Sequence, residues 1–529
     1  MRISKKEALV AELQSANLKI AKLEEKLSND RNKNRETIKE RNKECRDLRK
    51  KNKALKASRA SWKSKAVERN KALKTLKNKT LCLDFDLLNN NPARHHYSLL
   101  IITIAVLLRV KCNCSYRSIP MILELIFNIL GNRAVELSEL PCSNTVENWV
   151  QKSGYGELKN GVKEYEGKLT CLILDESIRV GREKLLVGLI CKADKEFKEI
   201  VKNSTEETEE TEEIGKTLNF EDTRVLILEG RTSWKSGDIE EVVSQSVVDN
   251  NLIISYIIAD EGNNLKAAIK KIGCPHIPDI SHAIANCLKR EFSNLDSYKA
   301  FITDVKKYQA KLIMGKNSFL RPKKQRAKAR FMNQESLVIW AEVILEKWDT
   351  FSDDVRELFK EMPNHKQIVE RLREAMDLVK YIANVLINNG ISSENITKIL
   401  SRISKIEMDN STNNSSNKSI GIVISELKKY LNNYKEILET KLTNHQNIFG
   451  CSKVVERLFG IYKEKVSTNY FNGVTASCLE LPLVCLSKET LIQKMKFFIE
   501  TVFMSNINDW KKQNQSDNQA IKRKELFKR

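Results

Sequence analysis

Cys171-Leu-Ile-Leu-Asp175-Glu-Ser-Ile178 is the stretch on which the fold turns. Four apolar residues followed at once by polar ones predict a strand buried on both faces of a sheet, with Asp175 where the strand emerges. Leu252-Ile-Ile-Ser-Tyr-Ile-Ile-Ala-Asp260-Glu-Gly262 repeats the pattern: an apolar strand, a carboxylate at its carboxyl end, then glycine. Parallel neighbours of this kind would set Asp175 and Asp260 side by side at one edge of the sheet. Two carboxylates there repel each other unless a cation lies between them, which points to a divalent metal site.

Composition says what such a site would act on. The chain has 529 residues, room for two to four domains, and a formal net charge of +22 from 91 Lys+Arg against 69 Asp+Glu. Residues 1–80 alone hold 26 basic and 10 acidic side chains, so most of the excess sits there and the expected partner is a polyanion, DNA above all. An anionic membrane would attract the same charge, but no run of about 20 apolar residues occurs. The longest, Leu99 to Leu108, has no signal-peptide setting. Twelve cysteines without a Cys-x-x-Cys pair read as reduced thiols of an intracellular protein. The groups His95, His96, Cys112, Cys114 and Cys274, His276, His282, Cys287 match no familiar zinc spacing.

Residues 1–80 contain neither Pro nor Gly. Leu13, Ala16, Ile20, Leu23 and Leu27 step by three and four, a coiled-coil seam expected to pair two copies into a homodimer or higher oligomer. Residues 51–80 carry 11 basic side chains and one acid, Glu68, and are expected to touch nucleic acid. Residues 81–165 predict a helical unit: an apolar helix from Tyr97 to Val110, a second begun by Ser115 with Pro120 in its first turns, and a short helix capped by Ser143. Ser143, Asn144, Thr145 and Asn148 would then be the DNA-facing residues of a helix-turn-helix-like reader, the alternative being a bundle that only buttresses the next domain.

From residue 166 the pattern alternates. The Cys171 strand is followed by Glu183-Lys-Leu-Leu-Val-Gly-Leu-Ile-Cys191 and, after a loop with six glutamates between Glu206 and Glu213, by Arg224-Val-Leu-Ile-Leu-Glu229. An amphipathic helix from Ser236, the Asp260 strand, a helix from Asn264 to Ile272 and a short strand ending at Ile277-Pro-Asp279 come next. Three strands, helix, strand, helix, strand resembles the order of a ribonuclease H-like core.

On these residues the chain resembles the DDE transposases. Asp175 in Leu-Asp-Glu-Ser matches the family's first aspartate, and Asp260 in Ala-Asp-Glu-Gly its second. Asp279-Ile-Ser-His282 looks like the Cys/Asp-x-x-His signature of the hAT-like and Mutator-like branches. The best match to the third acid is Glu456 in Cys-Ser-Lys-Val-Val-Glu-Arg-Leu-Phe-Gly-Ile-Tyr-Lys463. There Val455, Leu458, Phe459 and Tyr462 would form the buried stripe of a helix, with Glu456, Gly460 and Lys463 on the adjacent face. Glu291, Glu335 and Glu342 remain alternatives for that acid. The resemblance covers residues 90–292 and 445–485; each motif alone is weak, and the four in order are stronger.

The resemblance implies an α/β ribonuclease H-like catalytic core with an all-α insertion, preceded by a helical DNA-binding region and an N-terminal coiled coil. The units would be residues 1–80, 81–165, 166–292 for the first part of the core, 293–444 for the insertion, 445–510 for the last part, and a basic tail at 511–529. The insertion holds Arg321, Lys323, Lys324 and Arg326 in a run with six basic residues in ten, expected on DNA. Two Mg²⁺ (or Mn²⁺) ions held by Asp175, Asp260 and Glu456 would serve hydrolysis and rejoining of phosphodiesters. Asp279, His282 and Lys463 would lie near the DNA phosphate. Other classes fit less of the chain: a non-catalytic DNA-binding scaffold derived from a transposase, or a ribonuclease H-like nuclease. Either would work inside the cell at the chromosome.

Overall fold

In a computed structural model of the chain, the described residues are 91–130, 140–180, 183–194, 218–323, 334–412, 420–465 and 474–514, with scattered positions in the first 88, at 331 and near the C terminus. The chain divides into two units, Met1–Leu88 and Asn89–Arg529. In the first, the described positions are helical, and Ile20, Leu23 and Leu27 are each more than half exposed. Leu13 and Ala16 of the expected seam, the glutamate-rich loop, Lys324 and Arg326 lie outside the described residues. No described helix is long and apolar enough to cross a membrane.

The second unit is mixed α/β around one sheet. Its strands are β1 (Leu169–Val180), β2 (Glu183–Lys192), β3 (Arg224–Arg231), β4 (Ile253–Ala259) and β5 (His276–Pro278), in spatial order β3-β2-β1-β4-β5. β1 pairs antiparallel with β2, and β2 with β3, while β4 joins the other side of β1 in parallel and β5 follows in parallel. Among the described residues, the helices of ten residues or more are α1 (Leu99–Val110), α2 (Ser118–Leu130), α3 (Ser143–Asn160), α4 (Ser236–Asp249), α5 (Asn263–Ile272), α6 (Ile280–Phe292), α7 (Asp296–Lys311), α8 (Glu335–Glu346), α9 (Lys366–Asn389), α10 (Ser393–Thr412), α11 (Gly421–Thr440), α12 (Lys453–Lys465), α13 (Lys488–Thr501) and α14 (Met504–Asn514).

Side chains alternate across a strand, so each face of the sheet is assigned by parity. Leu172 and Leu174 of β1 and Ile257 and Ala259 of β4 join Trp234, Ile239, Val243, Leu265 and Ile269 in one core, which α4 and α5 cover. Cys171, Ile173 and Asp175, with Tyr256 and Ile258, therefore belong to the opposite face. There α12 packs on β1, and the chain before α12 crosses the sheet: Phe449 N donates to the Tyr256 hydroxyl (3.0 Å), which donates to Ala193 O (2.6 Å).

Three local expectations need correction. β1 does not end near Asp175 but runs on to Val180, through a register shift between Asp175 and Ile178 in its pairing with β2. A bulge of this kind re-aims the residue beside it. The helix expected to be short is eighteen residues long, and Ser143 is its first helical residue, not its cap. Cys142 occupies the cap position with no side-chain capping bond. The helix continues because its later residues are buried, Trp149 and Val150 among them, against α13, α14, the 476–484 segment and α1. Gly154 is what permits this closeness: a Cβ there would lie 1.6 Å from the Leu479 carbonyl oxygen. Ion pairs add to the joint, Glu157 meeting Lys494 (2.8 Å) on α13 and Arg224 (3.5 Å) on β3. The helix expected to start at Ser115 begins at Ser118, tied back by its N–H to Ser115 Oγ (3.1 Å).

Candidate active site

The register of β1 and β4 builds the first half of the site. Ile173 stands opposite Ile258; two residues further on come Asp175, still within β1, and Asp260, the first residue past β4, at the same end of the sheet. Asp175 is buried, held within the strand. Asp260 lies just past the end of β4, where its Oδ1 accepts from Gly262 N (3.0 Å) and turns the chain into α5.

The second half comes from β5 and α6. Asp279 caps α6: its Oδ1 accepts from His282 N (2.8 Å) and bonds His282 Nδ1 (2.9 Å), while Oδ2 accepts from Ser452 N (2.6 Å). Burial pulls the Asp279 carboxyl upward, but these bonds outweigh it and hold it below the usual carboxylate range. The bond to Asp279 pushes His282 up to about 9 against its partial burial, with the negative charges of Asp260 and Glu456 adding to the rise. His282 is therefore an imidazolium at neutral pH.

The third contribution arrives along the chain from residue 445. Ile448 bridges both Asp194 at the end of β2 and Ile391, and Ile280 N donates to Gly450 O (2.9 Å). This seats the start of α12 beside α6, and Ser452 O accepts from Glu456 N (3.3 Å). Val455, Leu458, Phe459 and Tyr462 are all buried, as the helical spacing predicts, so the adjacent face with half-buried Glu456 and exposed Lys463 looks outward. Burial and the charge of Asp279 raise the Glu456 carboxyl above the ordinary range, partly countered by His282, Lys453 and Lys463. A cavity of about 320 Å³ opens beside it, lined by Leu218, Ile387, Phe449, Val454, Lys453 and Arg457 among others.

The other acids considered for the third position do different work. Glu291 is buried, paired with Arg371 and accepting from Val423 N (3.1 Å). Glu335 meets Lys380 (2.7 Å) and Glu342 meets Arg373 (3.4 Å). Glu335 and Glu342 tie helices of the 293–444 region to one another and Glu291 ties α6 to that region, whereas Glu456 is the one within electrostatic reach of His282 and Asp279.

Among the described residues no three His, Cys, Asp or Glu side chains are gathered tightly enough to enclose a metal ion. The donor set still fits Mg²⁺ or Mn²⁺. Such ions are commonly held by one or two carboxylates, with substrate phosphates completing the shell, and not by a closed protein cage. The residues expected on DNA are spread more widely. Asn144 is exposed, Ser143, Thr145 and Asn148 are half-buried in the first turns of α3, and Arg321 donates to Gln309 O (3.0 Å) next to the exposed Lys323.

Sequence reasoning missed Ser452, Glu261, Tyr430 and Tyr434. Glu261 directly follows Asp260 and could have been flagged by position. The other three gain their meaning only from contacts across 150 residues or more. No protein-family model matches the chain, and no curated protein is similar enough to it to count as a relative.

Proposed function

We propose that the chain is a DDE-type DNA transposase, cleaving the ends of a mobile element and joining them to target DNA on a ribonuclease H-like core with a helical insertion. The observation that supports this reading is the pairing of Ile173 with Ile258 on adjacent parallel strands, which leaves Asp175 of β1 and Asp260 just after β4 at the same end of a sheet ordered β3-β2-β1-β4-β5, with α12, the helix that carries Glu456, packed on β1. Asp175, Asp260 and Glu456 would hold Mg²⁺ or Mn²⁺, whose chemistry when bound would be to activate the attacking oxygen and stabilise the leaving one. The chain's own residues supply the rest. Asp175 is held rigid in β1, and Asp260 is held in its turn. His282, fixed by Asp279, offers its other ring nitrogen to a DNA phosphate as a charged donor. The cationic first 80 residues supply affinity for the DNA backbone, and the seam at Ile20, Leu23 and Leu27 supplies the second copy that joining two ends requires.

The test is cleavage of DNA from the element's own flanks in Mg²⁺, comparing wild type with Asp175→Asn, Asp260→Asn and Glu456→Gln. Each variant should lose at least a hundredfold in rate while keeping its fold and DNA affinity. A variant within about tenfold of wild type, roughly 1.4 kcal/mol of barrier, would remove that residue from the site. Wild-type protein that binds DNA but never cuts it would favour the scaffold reading instead.

A further inference from the structure

α11 lies outside the sheet, yet two of its tyrosines reach the segments that carry the site. Tyr434, buried, donates its hydroxyl to Pro278 O (2.9 Å), the residue immediately before Asp279. One turn earlier on the same helix, Tyr430 donates to Glu261 Oε2, the residue immediately after Asp260. Asn286 of α6 also reaches that Glu261 oxygen (3.5 Å), and Lys266 approaches the other (3.7 Å). Burial, reinforced for Tyr430 by the Glu261 carboxylate, raises both phenols, so both stay protonated and act as donors. One rigid helix thus grips the turn after β4 and the end of β5 at two points a helical turn apart.

We propose that Tyr430 is a positioning residue, and that with Tyr434 it makes α11 the brace that fixes Asp260 relative to the Asp279–His282 pair. The inference rests on the transposase reading above and extends it to a helix distant in sequence. Asp260's own hydrogen bond, to Gly262 N, is local to its turn. The Glu261 side chain links this turn to α6 through Asn286 and to α11 through the Tyr430 hydroxyl. Outer interactions of this kind orient the groups that hold a metal, and their removal characteristically costs ten- to a hundredfold in metal affinity or activity.

Tyr430→Phe removes one oxygen and keeps the ring. Full-length wild type, Tyr430→Phe, Glu261→Leu and the double variant are compared for cleavage rate as a function of Mn²⁺, for Mn²⁺ binding by electron paramagnetic resonance, and for DNA affinity. Tyr430→Phe should raise the half-saturating Mn²⁺ concentration about tenfold and lower the cleavage rate at limiting Mn²⁺ in proportion, with DNA affinity within twofold of wild type. The double variant should be no worse than the more damaged single, because both remove the same hydrogen bond. Active wild type with Tyr430→Phe inside twofold in all three measurements overturns the brace and leaves the transposase reading standing. Multiplicative losses in the double variant overturn it too, since the loss would not run through Glu261. Wild type that neither cleaves DNA nor binds Mn²⁺ overturns the function and the brace together.

Discussion

Asp279 binds three hydrogen-bond donors from two parts of the chain with its two carboxylate oxygens, and it is almost wholly buried. Its partner His282 titrates near 9 in the fold, above the value of about 6.5 for an unfolded histidine. A raised folded value means that the pair's contribution is complete below about pH 6.5 and is lost as pH rises through about 9. The depressed Asp279 value acts at the other end, its contribution holding above the ordinary aspartate range and failing as acid protonates it. His282→Ala should therefore cost about 1 kcal/mol near neutral pH, a charged hydrogen bond discounted for partial exposure. Urea unfolding of both proteins at pH 6, 8 and 10 checks this: the gap in midpoint should close by pH 10. An equal gap at all three would mean that the imidazole acts through packing alone. A second residue-scale expectation concerns Gly154, where any Cβ meets the backbone carbonyl of Leu479. Gly154→Ala should destabilise by about 3 kcal/mol or more, visible as a lowered Tm.

At the scale of elements, the strands were legible in the sequence and the contacts between distant segments were not. The runs ending at Asp175 and Asp260 declare themselves because a strand buried on both faces must be apolar throughout. The stripe on α12 declares itself because Val455, Leu458, Phe459 and Tyr462 keep helical spacing. Other features are decided by neighbours distant in sequence. β1 runs past Asp175 because β2 goes on pairing beyond the bulge. α3 runs on through Gly154 and Gly156, residues that ordinarily weaken helices, because the segments packed on it leave no room for side chains there. That burial also bears on the DNA-facing role proposed for the first turn of α3. Trp149, buried and edge-on to Tyr97 at 5.4 Å, holds the helix in the core, so Trp149→Ala should cost about 3–5 kcal/mol. Asn144→Ala, at the exposed first turn, should leave stability within about 0.5 kcal/mol and isolate whatever that turn does on DNA. Thermal unfolding and gel-shift assays on the two variants separate the roles.

At the scale of the whole molecule, charge and site are far apart in sequence. Sixteen of the twenty-two excess positive charges lie in the first 80 residues. A chain lacking residues 1–80 should thus bind DNA more weakly and with a shallower salt dependence, by about 0.9 in the slope of log K on log salt for each phosphate no longer neutralised. An unchanged slope would move the electrostatic anchoring onto residues 81–529. Separation in the chain has a further consequence, one of timing. Glu456 lies about 280 residues after Asp175, and the Ser452 amide that secures Asp279 lies just before it. At roughly 5–20 residues per second, a ribosome that has finished β1 needs about 15–60 s more to make α12. On the proposed reading, an unfinished chain exposes its cationic arm to nucleic acid throughout that interval but has no complete blade. On that reading the cell would meet a DNA-binding protein first and a DNA-cutting one only once α12 has been made, and a polypeptide truncated anywhere before residue 456 would bind DNA without cutting it.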